Sequence, residues 1–365
     1  MNRLPGAVTI PAENSGPKID RLLIVRLSSM GDILHALPAA TALRNTFPEA
    51  TLGWVIEERW AELLCTLPTP RSGPRSPQRP LVDRIHAVDT KTWRHALFST
   101  QTWERIAATL SDLRAGEYQV AVDLQGAARS AIIARWSGAA TIYGAAQARE
   151  NVASMFYTHQ VIVRGANVVE QNIAIAEAVA RQPLNVTEAQ LPNDPNAKCS
   201  LDKEGIRDFV LLSPGAGWGA KQWPAERYGS VAGTLGEAGI PVLVNFGPGE
   251  EDLARKVESS SGNRARVIST NLTQLIALTR RTRLFIGGDS GPMHLAAALR
   301  VPVVAIFGPT DPARNGPFGT RNIVLRGASS ITSHKRRSEP DPGLLEITPE
   351  QVIDAAKQLL GKCCV

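Results

Sequence analysis

The stretch that decides the fold is residues 21–38, which read RLLIVRLSSMGDILHALP. The mostly apolar run Leu22–Leu27 has the composition of a strand that is buried on both faces of a parallel sheet. Small residues follow it, and Gly31 permits a backbone conformation that is closed to other residues. A helical pattern then runs over residues 33–45. The stretch therefore predicts a strand, a tight turn and a helix, which is the first unit of an α/β sheet.

Asp32 lies in this turn, at or near the start of the predicted helix and at the mouth of the sheet. A carboxylate at such a place is commonly a helix cap, which satisfies free backbone N–H groups. It can equally be a general base that is held on a rigid element. The local pattern leaves both interpretations open.

The same alternation of strand and helix continues along the chain in two series. The first series predicts further strands at Leu52–Glu57 and Gln119–Leu124, and helices at Trp103–Arg114 and Ala127–Trp136. The second series predicts strands at Phe209–Ser213, Pro241–Phe246, Ala265–Ile268, Leu284–Gly287 and Val303–Phe307, and helices at Ala225–Ala238, Glu250–Ser259, Leu272–Arg280 and Pro292–Leu299. Two doubly wound halves predict a ligand between them, at the carboxyl ends of both sheets.

A chain of 365 residues is long for a single hydrophobic core, so two domains are expected. We predict a loose N-terminal extension, a first Rossmann-like domain, a linker rich in Pro, Asn and Asp, a second Rossmann-like domain and a C-terminal helix. Their bounds are residues 1–20, 21–185, 186–205, 206–345 and 346–365. The segment Thr66–Pro80, rich in Pro, Arg and Ser, predicts a surface loop.

The formal net charge of +6 favours an anionic partner, such as nucleic acid, a phosphorylated sugar or an anionic lipid surface. The dense basic run Lys335–Arg337 has no aromatic residues within it, which ranks nucleic acid low. The four cysteines fall in no metal-ligand spacing, so no metal is expected. No signal-peptide pattern occupies residues 1–17 and no apolar run is long enough to span a bilayer, so a cytoplasmic location is expected.

A glycine-rich loop at residues 213–224, SPGAGWGAKQWP, follows a predicted strand. It is neither a Walker A motif nor the dinucleotide fingerprint, because the neighbours of Lys221 and the spacing of the third glycine differ from those patterns. The loop can bring Lys221 onto a phosphate, or Lys221 can be a solvated surface lysine. The density of glycines before Lys221 favours the phosphate.

A second glycine turn lies at residues 287–298, GGDSGPMHLAAA. Ser290 or Gly291 caps the predicted helix, and Pro292 opens it at the position that proline prefers. Free N–H groups and the helix dipole make this turn a candidate diphosphate site. His294 lies close to one turn along and can face the same ligand, although a lone helical histidine is more often simply packed.

Two weaker groups complete the candidates. Glu250 and Glu251 follow a strand and a glycine turn, and can accept hydrogen bonds from ribose hydroxyls. They can equally be favourable acids in the first turn of a helix. Lys91, Arg94 and Arg149 can bind an anionic, amphipathic acceptor near a membrane surface, or can be solvated.

Several collinear motifs resemble the ADP-heptose:lipopolysaccharide heptosyltransferases, glycosyltransferase family 9. They are residues 26–38, 54–58, 122–126, 221–224, 288–294 and 307–312. Residues 93–94, 148–150 and 153–157 also resemble the heptosyltransferase I subgroup. The resemblance implies a GT-B fold, two Rossmann-like domains that face each other across a cleft, and an inverting transfer with neither metal nor cofactor. It implies ADP-L-glycero-D-manno-heptose as the donor. The implied acceptor is the Kdo region of lipid A on the inner face of the cytoplasmic membrane, where the enzyme would bind peripherally.

The resemblance also implies roles for single residues. Asp32 matches the general base, Lys221 matches the lysine that binds the donor phosphates, and Thr270 lies where the adenine pocket is expected. The other implied donor-binding positions are Ser28, Ser29, Ala216, Gly217, Glu250 or Glu251, Asp289, Ser290, Gly291 and His294. The implied acceptor-binding positions in the first domain are Lys91, Arg94 and Arg149.

The chain also departs from the pattern. Ala216 and Gly217 stand where the subgroup has hydroxyl residues, Gln171 stands where an arginine contacts the acceptor, and Thr92 replaces a basic residue. A heptosyltransferase II or III, or a family member with another donor or acceptor, is therefore an alternative. Outside this enzyme class, the alternatives are a non-catalytic nucleotide-sugar-binding protein and a periplasmic solute-binding protein, of which the second is disfavoured by the expected lack of a signal peptide.

Overall fold

The computed structural model describes residues 18–96, 99–333, 335 and 337–361, without the side chains of Arg94 and His95. Most of the predicted N-terminal extension and part of the run Lys335–Arg337 lie outside the described residues. Within them the chain forms two six-stranded sheets, and all the pairings between named strands are parallel. No described helix is long and apolar enough to cross a bilayer.

The first sheet has the strand order β3-β2-β1-β4-β5-β6. Its strands are β1 Arg21–Val25, β2 Thr51–Glu57, β3 Arg84–Val88, β4 Val120–Asp123, β5 Thr141–Ala145 and β6 His159–Val161. The helices of this lobe are α1 Met30–Thr46, α2 Thr90–His95, α3 Thr100–Arg114, α4 Ala128–Trp136 and α5 Val168–Ala180. The order reverses between β1 and β4, and such a switch point is where doubly wound sheets bind ligands.

The second sheet repeats this topology as β12-β11-β10-β7-β8-β9. Its strands are β7 Val210–Ser213, β8 Val242–Phe246, β9 Ala265–Ser269, β10 Leu284–Gly288, β11 Val303–Phe307 and β12 Asn322–Arg326. The helices after the first lobe are α6 Pro195–Lys203, α7 Ala225–Glu237, α8 Glu251–Ser260, α9 Leu272–Thr279, α10 Gly291–Ala298, α11 Pro312–Asn315, α12 Pro342–Glu346 and α13 Pro349–Leu360. The predicted fold of two Rossmann-like halves is confirmed.

The predicted strands are present with ends shifted by up to two residues, because apolar runs buried on both faces are unambiguous. Four strands and one long helix were not predicted: β3, β5, β6, β12 and α5. These strands are short or lie towards the sheet edges, where the apolar pattern is weak. Helix α6 lies inside the predicted linker, whose bounds, like those of the domains, stay predictions. Thr66–Pro80 has no helix or named strand, but Arg79 within it is buried and donates to the carbonyls of Gly73 and Pro74.

The two lobes meet where α1 packs against α10. Glycines permit the close approach: a Cβ at Gly31 would lie 2.6 Å from Cδ2 of His294, and a Cβ at Gly291 would lie 2.5 Å from Sδ of Met30. Apolar residues of both lobes form one buried cluster around this contact, which contains Leu34 and Leu295. The first turns of the two helices, one from each sheet, are therefore held side by side.

A buried carboxylate fixes the turn after β4. Asp123 accepts hydrogen bonds from the backbone N–H groups of Gln125 (2.8 Å) and Gly126 (3.2 Å), and from the hydroxyls of Ser130 (2.9 Å) and Tyr157 (2.8 Å). Four donors satisfy a carboxylate that is almost fully withdrawn from water. Asp123, within the motif at residues 122–126, therefore has a structural role, which is to fix the turn after β4.

We expect Asp123→Ala to lower the free energy of unfolding by about 2 to 4 kcal/mol, because four buried donors lose their acceptor. Asp123→Asn should cost less, since the two hydroxyls can turn and accept from the new amide. Urea denaturation measures both losses. The matched control is Asp354→Ala on the exposed face of α13, which should stay within about 0.5 kcal/mol of the parent chain. Equal losses for Asp123→Ala and the control would contradict the assigned role.

Candidate active site

Asp32 is the third residue of α1, and Ser29 is the residue that precedes and caps the helix. The carboxylate reaches back to Ser29, whose backbone N–H and hydroxyl donate to Oδ2 at 2.9 and 3.0 Å. The capping interpretation is therefore correct in part, but at the third helical position and not at the cap itself. The other oxygen, Oδ1, lies 2.8 Å from Nη2 of Arg26. The side chain of Asp32 is 31% exposed, so it is held on a rigid element and still open to a ligand.

The charge of Asp32 depends on this pairing. Burial on its own would raise the pKa of the carboxyl, but the Arg26 guanidinium and the hydrogen bonds from Ser29 overcome it and lower the pKa below its ordinary value. Arg26 is itself buried and donates to the carbonyl of Leu124. The sequence analysis assigned Arg26 no role, because the partner of a carboxylate six residues away depends on how the turn folds.

In the second lobe, three of the predicted donor-binding residues form one hydrogen-bonded cluster. Asp289 has Oδ2 at 2.5 Å from Nζ of Lys221 and Oδ1 at 3.1 Å from Nε2 of His294. Burial would raise the pKa of Asp289, but the His294 and Lys221 contacts lower it well below the ordinary range. Lys221 is not a solvated lysine, since its side chain is 11% exposed and its ammonium also lies 4.2 Å from the ring centre of Trp218.

Two loops are shaped by buried anchors. Trp223 is completely buried and donates from Nε1 to the carbonyl of Ile347 at 3.1 Å, which fixes the loop that carries Lys221. At the start of α10, Ser290 is the cap residue, and its Oγ has no partner among the described residues. Thr310 follows β11, is 3% exposed and has an Oγ1 that is likewise unpartnered there. Buried hydroxyls without partners beside a helix N-terminus fit an anion-binding site.

The structure separates the two neighbouring glutamates. Glu250 turns inward and accepts from the N–H of Gly247 at 2.8 Å, and its carboxylate lies against Gly215 of the glycine-rich loop. Glu251 points away and pairs with Arg255 on the exposed face of α8 at 2.7 Å. Only Glu250 therefore borders the cleft.

The remaining donor-side positions lie along the same edge of the second sheet. Thr270 follows β9 and its hydroxyl accepts from the amide of Asn245 at 2.8 Å. Ala216 is half-buried and Gly217 is exposed in the loop after β7. These positions border the carboxyl ends of parallel strands, where nucleotide ligands bind in doubly wound sheets.

Of the basic residues on the first lobe, the structure places Arg129 beside the turn that carries Asp32. Lys91 and Arg149 are exposed, and the side chain of Arg94 lies outside the described residues. Arg129, in the first turn of α4, was not predicted; it donates to Ser28 Oγ at 3.2 Å and to Thr90 at 3.4 Å. Its place beside the turn that carries Asp32 follows from the crossover of β4 and α4, which local patterns do not reveal.

Two Rossmann-type lobes that pack at the carboxyl edges of their sheets have the architecture of the GT-B class of glycosyltransferases. A sequence model of the family described as "Glycosyltransferase family 9 (heptosyltransferase)" matches residues 106–343. The chain therefore belongs to glycosyltransferase family 9, and the predicted resemblance is confirmed. It is an enzyme that transfers a glycosyl group.

Individual relatives agree with this family. Lipopolysaccharide heptosyltransferase 1 of Pseudomonas aeruginosa is 28% identical over 84% of this chain and 83% of its own length. Lipopolysaccharide heptosyltransferase 3 of Escherichia coli is 26% identical over 90% of this chain and 95% of its own. The solved structure of E. coli heptosyltransferase WaaC with ADP-2-deoxy-2-fluoro heptose superposes with a TM-score of 0.74, at 25% identity, over 93% of this chain and 99% of that one.

We expect Arg26→Leu to move the acid limb of the pH–rate profile to higher pH. The lowered pKa keeps Asp32 ionised at and above the ordinary carboxyl range, so a reaction that needs the Asp32 carboxylate as its base should be lost as the pH falls through that lowered pKa. Without the Arg26 guanidinium, burial is opposed less and the pKa of Asp32 rises, so the limb should move to higher pH. The measurement is kcat/KM against pH, with Arg26→Lys as the control that keeps the charge. An unmoved limb in a folded Arg26→Leu variant would disprove the pairing as the cause.

Proposed function

We propose that this enzyme transfers heptose from ADP-L-glycero-D-manno-heptose to the Kdo region of the lipopolysaccharide inner core, with inversion and without a metal. The observation that carries the proposal is the packing of the first turn of α1, which holds Asp32, against α10, whose His294 belongs to the cluster with Asp289 and Lys221. A base on one lobe and an anion site on the other can then act on one anomeric carbon. The relatives named as heptosyltransferases and the WaaC complex with an ADP-heptose analogue support the choice of donor.

The proposed reaction is a single displacement at the anomeric carbon. Asp32 accepts the proton of an acceptor hydroxyl while that oxygen forms the new glycosidic bond. The bond from the anomeric carbon to the diphosphate breaks, and its electron pair leaves with ADP. Lys221 stabilises the leaving diphosphate, since Asp289 occupies only part of its capacity for three hydrogen bonds. The N-terminus of α10, with the unpartnered hydroxyl of Ser290, adds amide dipoles and a donor.

The donor would lie along the second lobe. Glu250 would accept from the ribose hydroxyls, and Thr270 would border the adenine. Ala216 and Gly217 would contribute backbone N–H groups in place of side-chain hydroxyls. Ser28 and Ser29 would approach the sugar from the opposite lobe.

The acceptor would lie along the first lobe. Lys91, Arg94 and Arg149 would bind its carboxylate and phosphate groups, and Arg129 joins them because it bonds to Ser28 beside Asp32. A lipid-linked acceptor and a net charge of +6 together favour peripheral binding to the inner face of the cytoplasmic membrane.

The departure at Gln171 supports a second candidate within the family, a heptosyltransferase II or III. Arg314 of the second lobe approaches this residue, with Nη1 at 3.5 Å from Gln171 Oε1, so the guanidinium beside this position comes from the other lobe and the local arrangement differs from that of the heptosyltransferase I subgroup. The similarity to lipopolysaccharide heptosyltransferase 3 points to the same alternative. The nature of the acceptor separates these candidates.

A donor and acceptor screen tests the proposed function. Radiolabelled ADP-heptose, ADP-glucose and UDP-sugars are each offered with Kdo-bearing lipid A and with a core that already carries one heptose. We expect ADP-heptose with Kdo-lipid A to give the fastest transfer, and we expect Asp32→Asn to lower turnover by roughly 10²- to 10⁴-fold while ADP still binds. Faster transfer to the heptosylated core would select the second candidate. Binding without any turnover would indicate a nucleotide-sugar-binding protein.

The adjacent residues Glu250 and Glu251 give a test of the donor site. We expect Glu250→Gln to weaken ADP binding by about tenfold, which corresponds to 1.4 kcal/mol, because a charged acceptor near the ribose is lost. Glu251→Gln is the matched control, since Glu251 pairs with Arg255 on the surface. The affinity of this variant for ADP should be unchanged. Isothermal titration calorimetry measures both. If the control weakens binding and Glu250→Gln does not, the ribose-binding acid is the other glutamate.

A further inference from the structure

One direct hydrogen bond joins the two lobes beside Asp32. Nε2 of His35, on α1, lies 2.9 Å from Nδ1 of His294, on α10, and the two rings meet edge to face. His35 is 5% exposed and is one helical turn beyond Asp32. His35 lies within the motif at residues 26–38, but the sequence predicted no role for it, because its partner is 259 residues away in the chain.

This hydrogen bond extends the cluster that His294 forms with Asp289 and Lys221. Asp289 is held as a carboxylate, so Nε2 of His294 donates to it. One of the two facing nitrogens, Nδ1 of His294 and Nε2 of His35, donates and the other accepts, so at least one of the two rings is neutral. A chain of hydrogen bonds therefore runs from Lys221 through Asp289 and His294 to the helix of the general base.

The surroundings keep His35 neutral, which satisfies this condition. Burial lowers the pKa of His35 well below its ordinary value, and His294 and Arg26 lower it further against the opposing carboxylates of Asp32 and Asp289. The main chain is fixed as well, because the amide of Asn172 on α5 donates to the carbonyl of His35 at 3.0 Å. The ring is thus held by the second lobe and the backbone by the first.

We propose that His35 is a positioning residue, which locks the helix of Asp32 onto the donor-binding helix α10 through its bond to His294. This inference rests on the proposed function for the identity of the reaction, but the lock itself is a property of the two helices. His35 does not touch the substrate in this role. It fixes the distance between the base on one lobe and the diphosphate site on the other, and a misplacement of 1 Å in such a geometry costs on the order of 10²-fold in rate.

The test compares two substitutions at one position. His35→Leu removes the hydrogen-bonding ring, whereas His35→Gln places an amide group, which can donate or accept, near the original Nε2 and can restore the bond to His294. We expect His35→Leu to lower kcat on the order of 10²-fold with little change in KM for the donor, and His35→Gln to recover most of the loss. His86→Leu is the matched control for the loss of a buried histidine, because His86 lies on β3 and bonds to Tyr118 away from the cleft.

Two further measurements separate the lock from a general loss of stability. In a double-mutant cycle with His294→Leu, the doubly substituted enzyme should be no slower than the slower single variant, because both changes break one bond. Amide hydrogen exchange should increase in both α1 and α10 in His35→Leu but not in His35→Gln, and this result does not require turnover. If kcat is unchanged in His35→Leu, or if His35→Gln is as slow as His35→Leu, the inference is overturned. Failure of the parent enzyme to transfer heptose would instead reject the proposed function. The exchange experiment would still show whether His35 holds α1 against α10.

Discussion

The close approach of α1 and α10 is the constraint on which the site depends. Each helix begins at the carboxyl edge of its own sheet, and each has a glycine in its first turn at the point of contact, Gly31 or Gly291. A side chain at Gly31 would collide with the His294 ring, which has little freedom because it is buried and bonded on both nitrogens. The packing of two helix starts therefore brings a carboxylate and an anion site, from opposite halves of the chain, to one place.

The electrostatics of the cleft follow from that packing. Asp32 and Asp289 are each kept ionised by basic partners: Arg26 for Asp32, and His294 together with Lys221 for Asp289. Without these partners, burial would favour the protonated acids. Arg26 holds the carboxylate of Asp32, which takes up a proton in the proposed reaction. Asp289 holds Lys221, which stabilises the leaving group in that reaction, so the charges are arranged before any ligand binds.

Local patterns were sufficient for the buried strands and for most helix positions, because an apolar run between glycine turns has few other interpretations. They were insufficient for the edge strands, such as β6, and for α6, which forms within a segment rich in Pro and Asn. The resemblance located Asp32, Lys221, Asp289 and His294 together. It did not reveal Arg129, Thr310 or the pairing of Arg26, since these depend on contacts between elements and not on spacing along the chain.

The sequence by itself determined that the chain forms two doubly wound α/β halves with glycine-rich turns at their carboxyl edges, because burial period and turn chemistry are local properties. The tertiary structure alone decided which of two adjacent glutamates faces the cleft. It alone made Asp32 the third residue of its helix and not the cap, and it alone joined His35 to His294. These outcomes depend on the direction in which a side chain leaves its helix and on which distant element occupies that space, and neither is encoded in any short stretch of residues.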